Sequence, residues 1–300
     1  MKNSIINKVL KGDAREIAED LPEDFFQCII TSPPYFNLRD YSEGNEEKEI
    51  GKEVSREEYV SRLVDVFNIL KCKLKEEGLL WLNLGDTYKN KTLMGVPWRA
   101  ALALQDSGWV LRSDIIWHKP NAMPSSAKDR PTTDHEYIFM FSKSNEYFYD
   151  ADAIREPHKT FSEDSKMKGG RNHFGKINGT PENGKNGGNS NLHNGRWDQA
   201  FHPKGRNKRT VWEIPLGKFK EAHFAVYPDQ LVENCLFAST KENDIVLDPF
   251  TGSGTTGVVA CRHSRKFVGI ELVDKYQRMA QKRIDEVAAQ SSIFDMINEK

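Results

Sequence analysis

The chain reads as an α/β protein built on a mainly parallel sheet with helices on both faces. Three observations carry that expectation. Apolar runs of strand length alternate with longer amphipathic stretches along the chain. Two of the runs stop abruptly in loops that only Gly or Pro chemistry permits: Cys28-Ile29-Ile30 leads into Thr31-Ser32-Pro33-Pro34-Tyr35, and Ile245-Val246-Leu247 leads into Asp248-Pro249-Phe250-Thr251-Gly252-Ser253-Gly254. With 300 residues, 38% of them hydrophobic and 29% charged, the composition is globular and suffices for one large domain or a core with an inserted module.

The expected strands, in order, are 5–9, 26–31, 79–84, 110–117, 137–141, 245–247 and 267–270. A helix is expected over 55–76, because Tyr59, Leu63, Val66, Phe67 and Leu70 share one face and Ser55 with Glu58 has capping-box spacing. Further helices are expected over 97–105, 228–238, 255–262 and 274–289. Pro97 and Pro228 suit a first turn, where no backbone donor is needed.

The formal net charge of -1 offers no overall attraction to a polyanion, so any nucleic-acid surface must come from local segregation of charge. Such segregation exists. Residues 155–220 carry fourteen Lys or Arg against six Asp or Glu, and 169–195 is dominated by Gly and Asn with almost no aliphatic side chains. This stretch is either a solvated linker or a nucleic-acid-contacting insert, with Phe174, Trp197 and Phe201 interleaved for stacking. Cys28, Cys72, Cys235 and Cys261 have no paired spacing, which points to reduced, mostly buried thiols. No secretory core follows Met1, and no run approaches the ~20 apolar residues of a membrane span, so a cytoplasmic protein without a membrane partner is expected. No His, Cys and Asp cluster has metal-ligand spacing, so no metal is expected.

Gly252 and Gly254 let the backbone turn tightly after a strand and approach a ligand, and Thr255-Thr256 can open the next helix. Glu271 ends the following strand nineteen residues after Gly252, where an acidic side chain can accept both hydroxyl protons of a ribose. That spacing is shared with nicotinamide-dinucleotide enzymes. Upstream, His223-Phe224-Ala225-Val226-Tyr227-Pro228 reads on its own as the entry to a helix with a buried His. Asp13 reads equally as an N-cap for a short helix over 14–18.

Together, and in this order, the two motifs resemble those of a β-group DNA amino-methyltransferase. Asp248-Pro249-Phe250-x-Gly252-Ser253-Gly254-Thr255-Thr256 is similar to the S-adenosylmethionine loop of class I methyltransferases, and Ser32-Pro33-Pro34-Tyr35 to the motif that methylates exocyclic amines. Trp117-His118-Lys119-Pro120-Asn121, Asp134-His135-Glu136-Tyr137 and 209–215 extend the likeness over most of the chain outside the basic stretch. The resemblance implies a circularly permuted Rossmann-like fold. Residues 1–154 would form the catalytic half, 155–210 an inserted target-recognition region and 211–300 the cofactor half. It implies S-adenosylmethionine as cofactor, held by Asp13, His223, Phe224, Pro228, Asp248, Pro249, Phe250, Gly252, Gly254, Thr255, Thr256 and Glu271.

The chemistry of the first motif follows. An amine conjugated to a base ring is a poor nucleophile because its lone pair is delocalised. Acceptors set against its hydrogens, here the Ser32 hydroxyl and the Pro33 carbonyl, favour a pyramidal nitrogen. Pro33 and Pro34 keep that carbonyl rigid. Tyr35 would stack on a base flipped out of the duplex. Lys119, Asn121 and His135 would line the base pocket, and Arg171, Arg196, Lys204, Arg206, Lys208 and Arg209 would contact DNA.

Ser32, in place of the Asp of many adenine-specific members, favours 4-methylcytosine over 6-methyladenine. Methylation at cytosine carbon 5 is excluded, since none of the four cysteines follows a proline. The implied partners are double-stranded DNA, a second copy of the chain, and a cognate restriction endonuclease in a prokaryotic or phage setting. Other readings are the same fold acting on RNA or a protein amide, a non-catalytic DNA-binding module, and a nicotinamide dehydrogenase. The last leaves Ser32-Pro33-Pro34-Tyr35 unexplained.

Overall fold

A computed structural model describes residues 4–38, 49–157, 204–217 and 227–298, with side chains to Ala289 in the last helix. The chain divides into two compact units, Met1–Asp150 with Arg209–Lys300, and Ala151–Lys208. In the smaller unit the described residues form a short 3-10 turn, Asp152–Ile154, and an antiparallel bridge between Glu156 and Arg206.

Among the described residues the larger unit forms an eight-stranded sheet with helices. In chain order its elements are β1 (Lys8–Lys11), α1 (Ala14–Asp20), β2 (Phe26–Thr31), α2 (Arg56–Lys73), β3 (Leu74–Leu84), a small hairpin of β4 (Tyr88–Lys89) and β5 (Thr92–Leu93), α3 (Val96–Asp106), β6 (Val110–His118), β7 (His135–Ser142), β8 (Val211–Glu213), α4 (Asp229–Ser239), β9 (Ile245–Asp248), α5 (Thr255–Arg262), β10 (Lys266–Glu271) and α6 (Asp274–Asn298). The sheet order is β1-β10-β9-β2-β3-β7-β6-β8, and among these strands β7 alone runs against the rest. The sequence expectation of a mainly parallel α/β sheet is therefore met.

Strand identity follows burial. All six residues of β2 are buried, as a strand covered on both faces requires, which is why it reads as a run without alternation. On α2, Tyr59, Leu63, Val66, Phe67 and Leu70 are buried on one face, and the Ser55 hydroxyl accepts from the Glu58 amide at 3.1 Å. The helix ends at Lys73 and not at Glu76. Leu74 is extended and wholly buried, pairing with Phe26, and Gly78 packs so tightly that a Cβ would stand 2.7 Å from the Leu74 side chain. The first strand also begins later than expected. Asn7 takes a left-handed conformation (φ 58°) and its side chain accepts from the Phe267 amide at 3.0 Å, so Ile5 and Ile6 precede the strand. Burial pushes the thiols of Cys28 and Cys261 up to about 12, so both stay protonated. Among the described residues no helix is long and apolar enough to cross a membrane.

The parallel strands all end at the same edge of the sheet. Because β7 is antiparallel, with His135 opposite His118, its first residues lie at that edge too.

Candidate active site

At this edge the loop after β9 is organised by one carboxylate. Asp248 is fully buried and accepts from Thr31 Oγ1 at 2.6 Å, Thr256 Oγ1 at 2.7 Å, Tyr227 Oη at 3.0 Å and the Phe250 amide at 3.1 Å. Burial pushes its carboxyl above the usual range, and the donors from Thr31, Thr256, Phe250 and Tyr227 oppose the rise. Asp248 thus ties the last residue of β2 to the first turn of α5. Gly254 takes a left-handed conformation (φ +85°) as the N-cap of that helix, and a Cβ there would meet Ala280 at 2.8 Å. Only glycine fits.

Glu271 ends β10 beside this loop. Its two oxygens accept from the Gly252 amide at 2.8 Å and the Val273 amide at 2.9 Å. Burial raises its carboxyl from 4.5 to about 7 against the pull of those donors. A carboxylate has about four lone-pair positions, so acceptor capacity remains for further donors. Asp13 stands one strand away, following β1, which pairs with β10. It caps α1 by accepting from the Arg15 amide at 2.9 Å and the Glu16 amide at 3.1 Å.

The third group surrounds Ser32. Its hydroxyl lies 3.1 Å from Tyr35 Oη, which in turn donates to Glu136 Oε2 at 2.6 Å. Asn83 Nδ2 reaches Ser32 Oγ, Tyr35 Oη and Glu136 Oε2 at 3.2, 2.7 and 2.8 Å. Lys119 donates to the other oxygen of Glu136 and sits 4.4 Å above the Trp117 ring. The Tyr59 hydroxyl donates to the Pro34 carbonyl at 2.9 Å and fixes the Pro-Pro turn.

One cavity opens onto all three groups. Its wall includes Ser32, Pro33, Pro34, Tyr35 and Lys119 at one end, with Asp13, Pro249, Phe250, Gly252, Thr255 and Glu271 at the other. Asp248, Gly254 and Thr256 stand behind that wall, as the scaffold of the loop. Pro228 caps α4, and its neighbour Tyr227 is on the wall. His223 and Phe224 lie outside the described residues. Asn121 clasps Leu216, accepting from its amide at 2.8 Å and donating to its carbonyl at 3.2 Å. His135 packs its ring on Tyr137 and lies 3.4 Å from Asp134.

Residues 26–282 match the family described as DNA methylase. The chain belongs to that family. As a DNA methylase it is 39% identical to the type II methyltransferase M.SmaI of Serratia marcescens, over 92% of this chain and 90% of that one. It is also 39% identical to the type II methyltransferase M.Cfr9I of Citrobacter freundii, over 92% and 87%. The fold is similar to that of PvuII DNA methyltransferase (cytosine-N4-specific), with a TM-score of 0.61 at 21% identity over 95% and 94% of the two chains. TTHA0409 of Thermus thermophilus, solved with S-adenosyl-L-methionine, superposes with a TM-score of 0.59 at 24% identity over 94% of each chain. The β-group amino-methyltransferase resemblance seen in the sequence is thereby supported.

In this DNA methylase the sequence reading overlooked Asn83, Glu136 as a site residue, and Tyr227. Asn83 had a visible signal, being a lone polar residue in the apolar run Leu79–Leu84. Glu136 stood inside the matching stretch Asp134-His135-Glu136-Tyr137, but its partner was not visible, because only the antiparallel pairing of β7 brings it to Tyr35. Of the basic residues assigned to DNA, Arg206 is paired with Glu156 at 3.0 Å and Lys204 lies 3.6 Å from Asp152. Lys208 is half-buried and Arg209 exposed, and the Arg209 carbonyl accepts from Trp212 at 2.8 Å. Arg171 and Arg196, with Phe174, Trp197 and Phe201, lie outside the described residues.

Proposed function

We propose that the protein transfers a methyl group from S-adenosylmethionine to the exocyclic amine of cytosine in double-stranded DNA, giving 4-methylcytosine on a flipped-out base. The observation that carries this reading is the shared cavity. Ser32-Pro33-Pro34-Tyr35 and the Gly252–Glu271 pair open into one space, and Thr31 bonded to Asp248 holds their two strands in register. When bound, the cofactor supplies an electrophilic sulfonium methyl.

The wall fits that cofactor. Pro249, Phe250, Ile270 and Val273 give apolar surface for an adenine, and Glu271 keeps acceptor positions for the two ribose hydroxyls. Among the described residues, Asp13, Glu49, Glu136 and Glu271 line the cavity against one cation, Lys119, which suits a sulfonium better than a dinucleotide's phosphates. Ser32 Oγ and the Pro33 carbonyl would accept from the target amine, with Tyr35 and Lys119 around the base. The name of the PvuII enzyme favours cytosine, as Ser32 does.

The circular arrangement, the division at 1–154, 155–210 and 211–300, and the target-recognition role of the middle segment belong to the same reading. So do Lys204, Lys208 and Arg209 as phosphate contacts, a cytoplasmic site of action, a homodimer, and a cognate nuclease. The type II names of the relatives favour the last of these.

Incubation with unmethylated genomic DNA and methyl-labelled cofactor, followed by nucleoside mass spectrometry, is expected to put label in 4-methylcytosine. Label in 6-methyladenine would keep the clamp and overturn the base. Label in neither, with the cofactor bound, would turn the search to RNA or protein.

Glu271 gives this site a pH dependence. Ribose hydroxyls donate best to the ionised carboxylate, so cofactor affinity should rise from pH 6 to 8, through the value of about 7, and then level off. The slope is bounded at about tenfold per pH unit for one proton. In the ligand-free protein the sign is opposite. A raised acid contributes stability that is fully present below its ordinary value of 4.5 and lost as pH climbs through about 7. Calorimetric titration of wild type and Glu271→Gln across this range checks both, and an equal slope in the variant would assign the effect elsewhere.

A further inference from the structure

An exocyclic amine that accepts a methyl group becomes a cation and must shed one proton. Ser32 touches the amine in the reading above, but a serine hydroxyl is too weak a base to keep that proton. The network behind it supplies a destination.

Hydrogen-bond direction is fixed from the far end. An ionised Glu136 can only accept, so the single proton of Tyr35 points to Glu136 Oε2 across 2.6 Å. The Tyr35 oxygen is then an acceptor for the Ser32 proton across 3.1 Å. Ser32 Oγ is left with its lone pairs outward, toward Asn83 Nδ2 at 3.2 Å and into the cavity. Every hydroxyl therefore points the same way, from the cavity to the carboxylate.

We infer that Glu136 is the final acceptor of the proton lost by the target amine, reached through Ser32 and Tyr35. The balance is complete. An N–H bond of the methylated ammonium breaks and its electron pair stays on nitrogen, restoring a neutral amine. Ser32 gains that proton at Oγ and gives its own to Tyr35 Oη, and Tyr35 gives its own to Glu136 Oε2. Both hydroxyls end as they began and Glu136 ends neutral.

Lys119 donates to Oε1 and so leaves Oε2 to face the Tyr35 hydroxyl. An ammonium conjugated to a base ring is far more acidic than a carboxylic acid, so the transfer runs downhill even against that pairing. Asn83, 3% exposed and within hydrogen-bond reach of all three oxygens, holds the line together. The Glu136 side chain retains 15% exposure, which gives the proton an exit to water. Burial and the neighbouring carboxylate hold the Tyr35 phenol well above its usual value, so it passes a proton on and does not lose its own to solvent.

This inference rests on the amine-methylating reading and holds for cytosine or adenine alike. The test compares wild type with Tyr35→Phe, Glu136→Gln and Glu136→Ala in single turnover on a duplex carrying the target identified by mass spectrometry. Tyr35→Phe keeps the ring and removes only the relay oxygen. It and Glu136→Gln are expected to lose about 10²-fold in rate, the usual contribution of a positioned proton acceptor. Cofactor affinity, and the fluorescence rise of 2-aminopurine placed at the target, should match wild type. Formate should restore part of the rate to Glu136→Ala, and chloride at equal ionic strength should not.

A Tyr35→Phe enzyme within about twofold of wild type would overturn the relay, since a factor so small is below what proton transfer contributes. So would a Glu136→Ala enzyme that formate cannot rescue and that no longer raises the 2-aminopurine signal, because the carboxylate would then be a scaffold. A wild type that labels no nucleobase amine would sink the methylation reading and the relay with it.

Discussion

Replacing Ser32 by alanine is expected to lower the single-turnover rate of methyl transfer about 10²- to 10³-fold, the scale of losing one preorganised polar group. Cofactor affinity should hardly move, because Ser32 Oγ bonds to Tyr35 and Asn83 and to nothing in the loop after β9. The adjacent hydroxyl, on Thr31, is the one that binds Asp248. Two neighbours in the chain, the last residue of β2 and the first of its loop, thus serve different ends of the cavity. Methyl-labelled transfer measured beside calorimetric binding separates the two contributions. A Ser32→Ala protein with full activity would remove the basis of the proposed amine clamp.

Asp248→Ala should have the largest effect on the fold. It strips the acceptor from the hydroxyls of Thr31, Thr256 and Tyr227 and from the Phe250 amide, all against a fully buried site. Each orphaned group costs about 1–3 kcal/mol, and hydroxyls that re-pair with one another recover part of this. A net loss of about 3 kcal/mol, lowering the melting temperature by roughly 5–10 °C, is the expected result. Cofactor binding should fall with it, since Gly252 and Thr255 are positioned by the same loop. Melting and cofactor titration of the variant check this. An unchanged melting temperature would mean that the hydroxyls satisfy one another.

What was legible in the sequence was whatever local chemistry dictates. β2, β9 and β10 declare themselves because strands covered on both faces must be apolar throughout, and Gly254 because no other residue takes its conformation against Ala280. The α2 boundary was misjudged, because its apolar periodicity runs on past Lys73 while long-range pairing pulls Leu74 into a strand. Glu136 was hidden for the same reason. Its role depends on the reversed direction of β7, which no short stretch of sequence encodes. The Asp248 carboxylate accepts from four protein donors. The identity of those donors, Thr31 above all, is a property of the assembled sheet.

The interleaving of the sheet also sets when the protein can begin to work. β1 and β2 emerge first during synthesis, yet β10 and β9 stand between them. The bond from Thr31 to Asp248 joins residues 217 positions apart. At roughly 5–20 residues per second, about 10–40 s of translation separate the two partners. During that interval the strand that carries Ser32 has one flank bare and no loop beside it. A chain that stalls or is released before Asp248 therefore lacks β9, β10 and the loop between them, which form one end of the cavity. The order of manufacture thus delays assembly of the cavity until β9 and β10 have been made.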